Sequence, residues 1–240
     1  METYRLKSTL VENNKEYVIQ TANDNAGGVV QSTVYVNGQA TDTHTCPHPQ
    51  EIPAEEVLSL VQLTHEEQKQ EIETLLDAYR KTLRTRDPGM TYHLGTAFYY
   101  RRLYTEARQL FQAVVELDPK HHQSWNYLGM THLMLNNVSE AVECCRRAVE
   151  LRPAYADYHN ALGEACLVGH DTGTAKSEFE QAVKINLYYA DAYFNLGLAL
   201  VQEALGMDGQ NVPVDIPARA ANCFEKASLI YTEYDAALLG

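Results

Sequence analysis

Positive charge is scarce in this chain. Its 240 residues carry 19 lysines and arginines against 32 aspartates and glutamates, a formal net charge of -13. Acid and base are interspersed, which favours solubility and disfavours nonspecific binding to nucleic acid or an anionic membrane. Long hydrophobic runs are missing too, so no segment reads as a transmembrane helix, and Met1 to Leu10 is charged and alternating, without the apolar core of a signal peptide. The cysteines form no disulfide framework. Cys46, Cys144, Cys145, Cys166 and Cys223 are odd in number and irregular in spacing, the pattern of reduced thiols in a cytoplasmic protein. Also absent are a serine elbow, a phosphate loop, a dinucleotide fingerprint and a zinc-protease histidine pair. The expectation is a cytoplasmic protein that is not an enzyme, holds no cofactor, and neither binds nucleic acid nor enters a membrane.

What the chain does have is a period. Leu94-Gly95, Leu128-Gly129, Leu162-Gly163 and Leu196-Gly197 recur every 34 residues, and Ala107, Ala141 and Ala175 keep the same interval, as do Phe111, Cys145 and Phe179. A fixed interval of this length marks a helical repeat array. Glycine in mid-helix costs about 1 kcal/mol relative to alanine, so each of these glycines needs a packing reason, and close helix approach supplies one. Pro119 and Pro153 end the second helix of a unit, because proline cannot continue a helix. Leu187 departs from that pattern, which leaves the third junction free to be more helical or more flexible. In the fourth unit the small-and-aromatic set returns late, as Ala220, Phe224 and Ala227. Ala175 to Ala220 is 45 residues instead of 34, placing an 11-residue insertion at 206–216. Glu233 to Gly240 either begins a fifth unit or caps the fourth.

The segment before the repeats is of another kind. Tyr4, Leu6, Ser8 and Leu10 alternate with polar residues at the period of a half-buried strand. Tyr17 to Thr21, Val29 to Val36 and Gln39 to Thr45 supply three more strands, with Asn13-Asn14 as a turn signal and Asn37-Gly38 as the φ > 0 pair of a two-residue hairpin. A few short strands bury too little alone. Ala54 to Arg84 is the expected cover, with Val57, Leu58, Val61, Ile72, Leu75, Leu76, Tyr79 and Leu83 at helical spacing. Thr64 and Glu67 have the form of a capping box and leave two helices open, but a single long helix is favoured.

In the repeats, Trp125-Asn126-Tyr127-Leu128-Gly129 with Ala141, Ala148 and Pro153, and Leu94-Gly95-Thr96-Ala97-Phe98 with Ala107, Phe111 and Pro119, resemble the tetratricopeptide repeat. The likeness covers roughly 60% of the chain. It implies a mainly α protein in which a small antiparallel sheet (1–52) and a connecting helix (53–87) precede a right-handed α-α superhelix (88–240). Its units would span 88–121, 122–155, 156–189 and 190–232, followed by a C-terminal remnant. A concave groove would be lined by the first helix of each pair, presenting Tyr92, Thr96 and Tyr99, then Asn126, Met130 and Leu133, then Asp157, Asn160 and Glu164, then Asp191, Phe194 and Leu198. Family members that clamp a peptide's C-terminal carboxylate use lysine, arginine and asparagine in this groove, and that set is missing here, since no lysine or arginine occurs among these positions.

The groove therefore points to a protein partner that presents an apolar or basic segment, with Asn126 and Asn160 either holding its main chain or bridging neighbouring helices. The alternative is a self-assembling subunit that uses repeat ends or the sheet edge. The sheet itself is open to a second partner. His44, Cys46 and His48 alternate in an extended stretch and are the candidates for a metal, although an ordinary loop accounts for them better. His132 and His159 fall at core positions equivalent to Phe98 and Trp125, where packing explains them. His121-His122 fall in a turn, and Cys145 substitutes for Phe111 and Phe179 in the core.

Overall fold

Alternation of apolar and polar residues produces the expected strands. In this computed structural model β1 (Arg5–Glu12), β2 (Lys15–Asp24), β3 (Val29–Val36) and β4 (Gln39–Pro47) form an antiparallel meander in the order β1-β2-β3-β4. The structure describes residues 3–12, 14–24, 26–49, 51–207, 213 and 215–239, with side chains described to Tyr234. Asn13, half of the first turn signal, lies outside them. Asn37 at φ 50° and Gly38 at φ 83° supply the primed turn between β3 and β4.

The strands put Tyr17, Ile19, Val30 and Val34 on one buried face. α1 (Ala54–Thr85) covers that face as one unbroken helix, with Val57 and Val61 against Val30 and with Leu6, Cys46 and Ile52 around them. Thr64 is a buried mid-helix residue, so the capping box does not break the helix. Arg86, in the left-handed region at φ 52°, ends it. The apolar stripe was misplaced at its end: Leu83 is exposed and Thr82 is buried, because the face in contact advances along the helix. The sheet face of α1 also carries polar groups. His65 joins Ser8 Oγ (2.8 Å, Nε2) to Thr21 Oγ1 (2.9 Å, Nδ1), and Thr21 meets Ser32 Oγ at 2.6 Å.

The chain divides into two compact units, residues 1–110 and 111–240, with the boundary inside a helix. In the first unit, α2 (Pro88–Tyr100) begins at Asp87, whose carboxylate accepts from the Met90 amide at 2.9 Å. α3 (Tyr104–Leu117) follows. Its Glu106 is buried, accepting from Lys15 Nζ and, at 2.9 Å, from the Tyr17 hydroxyl.

The second unit continues as α4 (His122–Met134), α5 (Val138–Leu151), α6 (Ala156–Val168), α7 (Thr172–Ile185), α8 (Ala190–Leu205) and α9 (Asp215–Leu239). Close approach explains the glycines. A Cβ on Gly129 would lie 2.3 Å from Cys145 Sγ, and one on Gly163 would lie 2.5 Å from the Phe179 ring. The third junction is neither longer nor looser than the others. α7 stops at Ile185 without a proline because Asn186 is extended and its Oδ1 accepts from the Tyr188 amide at 3.0 Å. Phe224 stands over Gly197, as Phe179 does over Gly163. The insertion ends earlier than expected, since Asp215 and Ile216 open α9 and Ile216 is buried in the core cluster of α6 to α9. Residues 208–212 and 214 of the insertion lie outside the described set. α9 runs from Asp215 to Leu239, so the terminal residues to 239 belong to the fourth unit's second helix.

The fold is the one expected: mainly α, a solenoid of helix pairs preceded by a small antiparallel sheet and a long helix.

Candidate functional site

Three carboxylates gather on the second unit. Asn160 and Glu164 are one turn apart on α6 and therefore face the same way. Asn160 Nδ2 donates to Glu164 Oε1 at 2.7 Å. From α8, Asn195 Nδ2 donates to Glu164 Oε1 at 2.9 Å and to Asn160 Oδ1 at 3.1 Å. Burial is the main cause holding the Glu164 carboxyl above the usual range. The two amides oppose that shift, and the charge of Asp191 adds to it. Asp191 itself accepts from the Tyr231 hydroxyl of α9. Tyr189 reports how close the group is: its phenol is pushed well above its ordinary value by burial first, then by Asp191, Asp157 and Glu164. Among the described residues no lysine or arginine forms an ion pair with any of the three acids. A cavity of about 530 Å³ lined by Tyr155, Asp157, Ile185, Asn186 and Tyr189 opens at the same turns.

Asn126, one repeat before Asn160, is in a different state. Its Nδ2 donates to Met130 Sδ at 3.5 Å, and its buried Oδ1 has no partner. The sequence explains the difference. The residue 34 positions before Asn195 is Ala161, which has no side-chain donor to offer. Met130 packs on the core cluster and Leu133 is half-buried. On α8, Phe194 makes an edge contact with Phe224 at 5.6 Å. Leu198, Val201 and Leu205 extend an exposed apolar stripe, with Leu205 80% exposed. The second unit thus presents acids around Tyr189 and an apolar strip along α8.

The remaining groove candidates lie on α2, in the first unit. Tyr92 and Tyr99 are half-buried, Tyr99 meets the rings of Tyr100 and Tyr104, and the Thr96 hydroxyl turns back to donate to the His93 carbonyl at 2.7 Å. Among the described residues no group of three or more His, Cys, Asp or Glu side chains is arranged to hold a metal ion. Of the proposed trio, Cys46 packs on the cluster under α1, His44 is exposed on β4, and His48 lies past the strand with Nδ1 donating to the Pro49 carbonyl at 2.8 Å.

His159, His132, His121 and His122 each meet partners within the fold. His159 lies 2.6 Å from Glu178 Oε2 through Nδ1 and 2.9 Å from the Pro153 carbonyl through Nε2. His132 receives a hydrogen bond from Asn137 at 3.3 Å. His121 and His122 do not share a turn. His121 caps α4, accepting from the Ser124 amide at 3.2 Å, while His122 is its first residue and meets the Tyr158 hydroxyl at 2.6 Å. Burial pushes the Cys144 thiol up to about 12 and the Cys166 thiol to about 11, so neither is a nucleophile near neutrality.

The sequence model of the tetratricopeptide repeat family matches residues 92–156. Residues 92–156 carry the tetratricopeptide repeat pattern. Solved structures agree on the fold. The crystal structure of MamA superposes with a TM-score of 0.56 at 22% identity, over 66% of this chain and 87% of that one. A MamA fragment from Desulfovibrio magneticus RS-1 does so with 0.54 at 19%, over 68% and 96%. YrrB, described as a tetratricopeptide repeat protein with an unusual peptide-binding site, gives 0.53 at 20%, over 70% and 84%. At these identities the likeness is one of fold. No curated protein sequence matches the chain. Among the described residues no helix is long and apolar enough to cross a membrane.

Asn195 was missed from the sequence, because the groove position in the fourth unit was assigned to Phe194 by strict periodicity. The available signal was a polar side chain directly before Leu196-Gly197, where the second repeat has Tyr127 and the third Ala161.

Proposed function

We propose that this protein is a noncatalytic adapter whose second unit binds a segment of a partner protein carrying a basic residue beside apolar ones. One observation carries the reading: Glu164, Asp157 and Asp191 lie around one tyrosine, and among the described residues no lysine or arginine forms an ion pair with any of them. Glu164 is partly buried while Asp157 and Asp191 are exposed; a partly desolvated carboxylate beside further negative charge costs stability, and a lysine or arginine from outside reduces that cost. The apolar strip of Phe194, Leu198, Val201 and Leu205 would take the flanking residues. A fold shared with YrrB, which has a peptide-binding site, is consistent with this use. Residues 1–52 and 53–87 are proposed to form the sheet and its covering helix, ahead of a repeat region at 88–240.

Affinity capture from a native lysate with the wild type and with Glu164→Gln tests the proposal. Partners held by the wild type and lost by the variant are expected. A variant that retains every wild-type partner refutes this placement of the site.

A further inference from the structure

The sheet has two outer strands, and they differ. β4 ends in Pro47, and its pairing with β3 is irregular at Val34/Tyr35. Proline and irregular pairing are devices that blunt an edge against further pairing. β1 has neither. It runs eight residues in unbroken register with β2, from Arg5 opposite Ala22 to Glu12 opposite Lys15. Among the described residues no strand pairs with its other side.

β1 also carries a chemical pattern. Leu6, Ser8 and Leu10 turn toward α1, opposite Thr21, Ile19 and Tyr17. Arg5 and Lys7 stand on the opposite face, exposed, with Ala22 and Gln20 as their cross-strand neighbours, and among the described residues neither cation joins an ion pair. They border a hollow of about 440 Å³ whose floor is Gln20, Gln31, Thr33 and Tyr35. Its one carboxylate, Asp24, accepts from the Ala26 amide at 3.0 Å. In a chain with a net charge of -13, this face carries two cations that form no ion pair among the described residues, with Asp24 as the one carboxylate lining the hollow.

We infer that the open edge of β1 pairs with an extended segment of a partner protein in which acidic and apolar residues alternate. An added strand puts its residues about 5 Å from those directly opposite. Carboxylates two positions apart would then meet Arg5 and Lys7, and the apolar residue between them would extend the inner face beside Leu6, which already packs on Val30, Val57 and Val61. A second copy of β1 is the poorer occupant, since its matching face offers Arg5, Lys7, Thr9 and Val11 and no carboxylate to meet these cations. The inference is independent of the acidic site on the second unit, which selects the opposite charge.

The test uses the full chain and a fluorescent peptide in which glutamate and valine alternate, flanked by threonines, read by anisotropy at low and at physiological ionic strength. Binding that weakens with salt is expected, with about a tenfold loss on R5A/K7A, the sum of two cross-strand charge pairs. A peptide of the same composition with its glutamates adjacent should bind no better than the R5A/K7A chain binds the alternating one. Charge reversal in R5E/K7E should be rescued by a peptide carrying lysine at the glutamate positions. Both side chains are exposed, so thermal melting should be unchanged in the variants. Several outcomes would overturn the inference: no binding at millimolar peptide and low salt, equal binding to R5A/K7A, equal binding of the adjacent-glutamate peptide, or failure of the lysine peptide to rescue. In the first case the two cations serve only to guard the edge.

Discussion

Neutralising Glu164 should move stability and binding in opposite directions. In Glu164→Gln the new carbonyl still accepts from Asn160 and Asn195, so the bridge between α6 and α8 survives. What goes is a carboxylate whose charge the folded state disfavours, a balance that already includes both amide hydrogen bonds. Because the folded pKa is raised above its ordinary value of 4.5, the contribution of this carboxyl to stability is complete below that value. It is lost as pH rises through the folded value. The variant should therefore be more stable than the wild type at pH 7, by about 1 kcal/mol, the usual size of relief at a strained functional position. The two should converge in acid. For a partner whose lysine or arginine sits among the three acids, losing one charge of a partly buried pair costs about 2 kcal/mol, or roughly thirtyfold in affinity. Urea unfolding at neutral and acid pH measures the first effect, and titration with a captured basic segment measures the second. A variant that is destabilised at pH 7, or one that binds the basic segment as tightly as the wild type, would refute the reasoning.

Three further outcomes follow from the geometry. Glu106→Ala strands a buried Tyr17 hydroxyl and a partly exposed Lys15; discounting the lysine for solvent, it should cost about 3 kcal/mol in urea unfolding, and less when combined with Tyr17→Phe. His159 has acceptors at both ring nitrogens, and its pKa is raised chiefly by the hydrogen bond to Glu178. Its stabilising contribution is complete below the ordinary value of 6.5 and is lost as pH rises through the raised folded value, so the stability gap between wild type and His159→Gln should narrow with rising pH. Ala161→Asn should give Asn126 Oδ1 the donor it lacks, and a double-mutant cycle with Asn126→Ala should show a coupling of about 1 kcal/mol between the two positions.

The fold was legible because it rests on quantities that repeat. Leu-Gly pairs every 34 residues located the helix crossings, and the same arithmetic carried Phe224 across the insertion to its place over Gly197. The strands were legible from alternation and from one primed turn. What escaped was polar and buried. His65, Gln68 and Thr82 on α1, and Glu106 on α3, break the apolar stripe that reveals a helix face. Their partners, Ser8, Thr21, Lys15 and Tyr17, are far away in sequence, so no local pattern announces them.

The acids of the candidate site, Asp157, Glu164 and Asp191, were named from the period, but how the equivalent side chains pair was not. Periodicity predicts what the repeats share, and a binding surface is made of what they do not. Asn126 and Asn160 occupy equivalent positions, yet one clasps a carboxylate and a second amide while the other leaves an acceptor empty, because Ala161 and Asn195 differ. Met130 and Glu164 are also equivalent, and one is core packing while the other is a desolvated charge. A solenoid needs only its small and aromatic crossing residues to stack, so these groove positions are free to differ from repeat to repeat without cost to the fold. Glu164 and Asp191 accept hydrogen bonds from neighbouring side chains of the fold, and a cation paired with them is what the proposed basic segment would add.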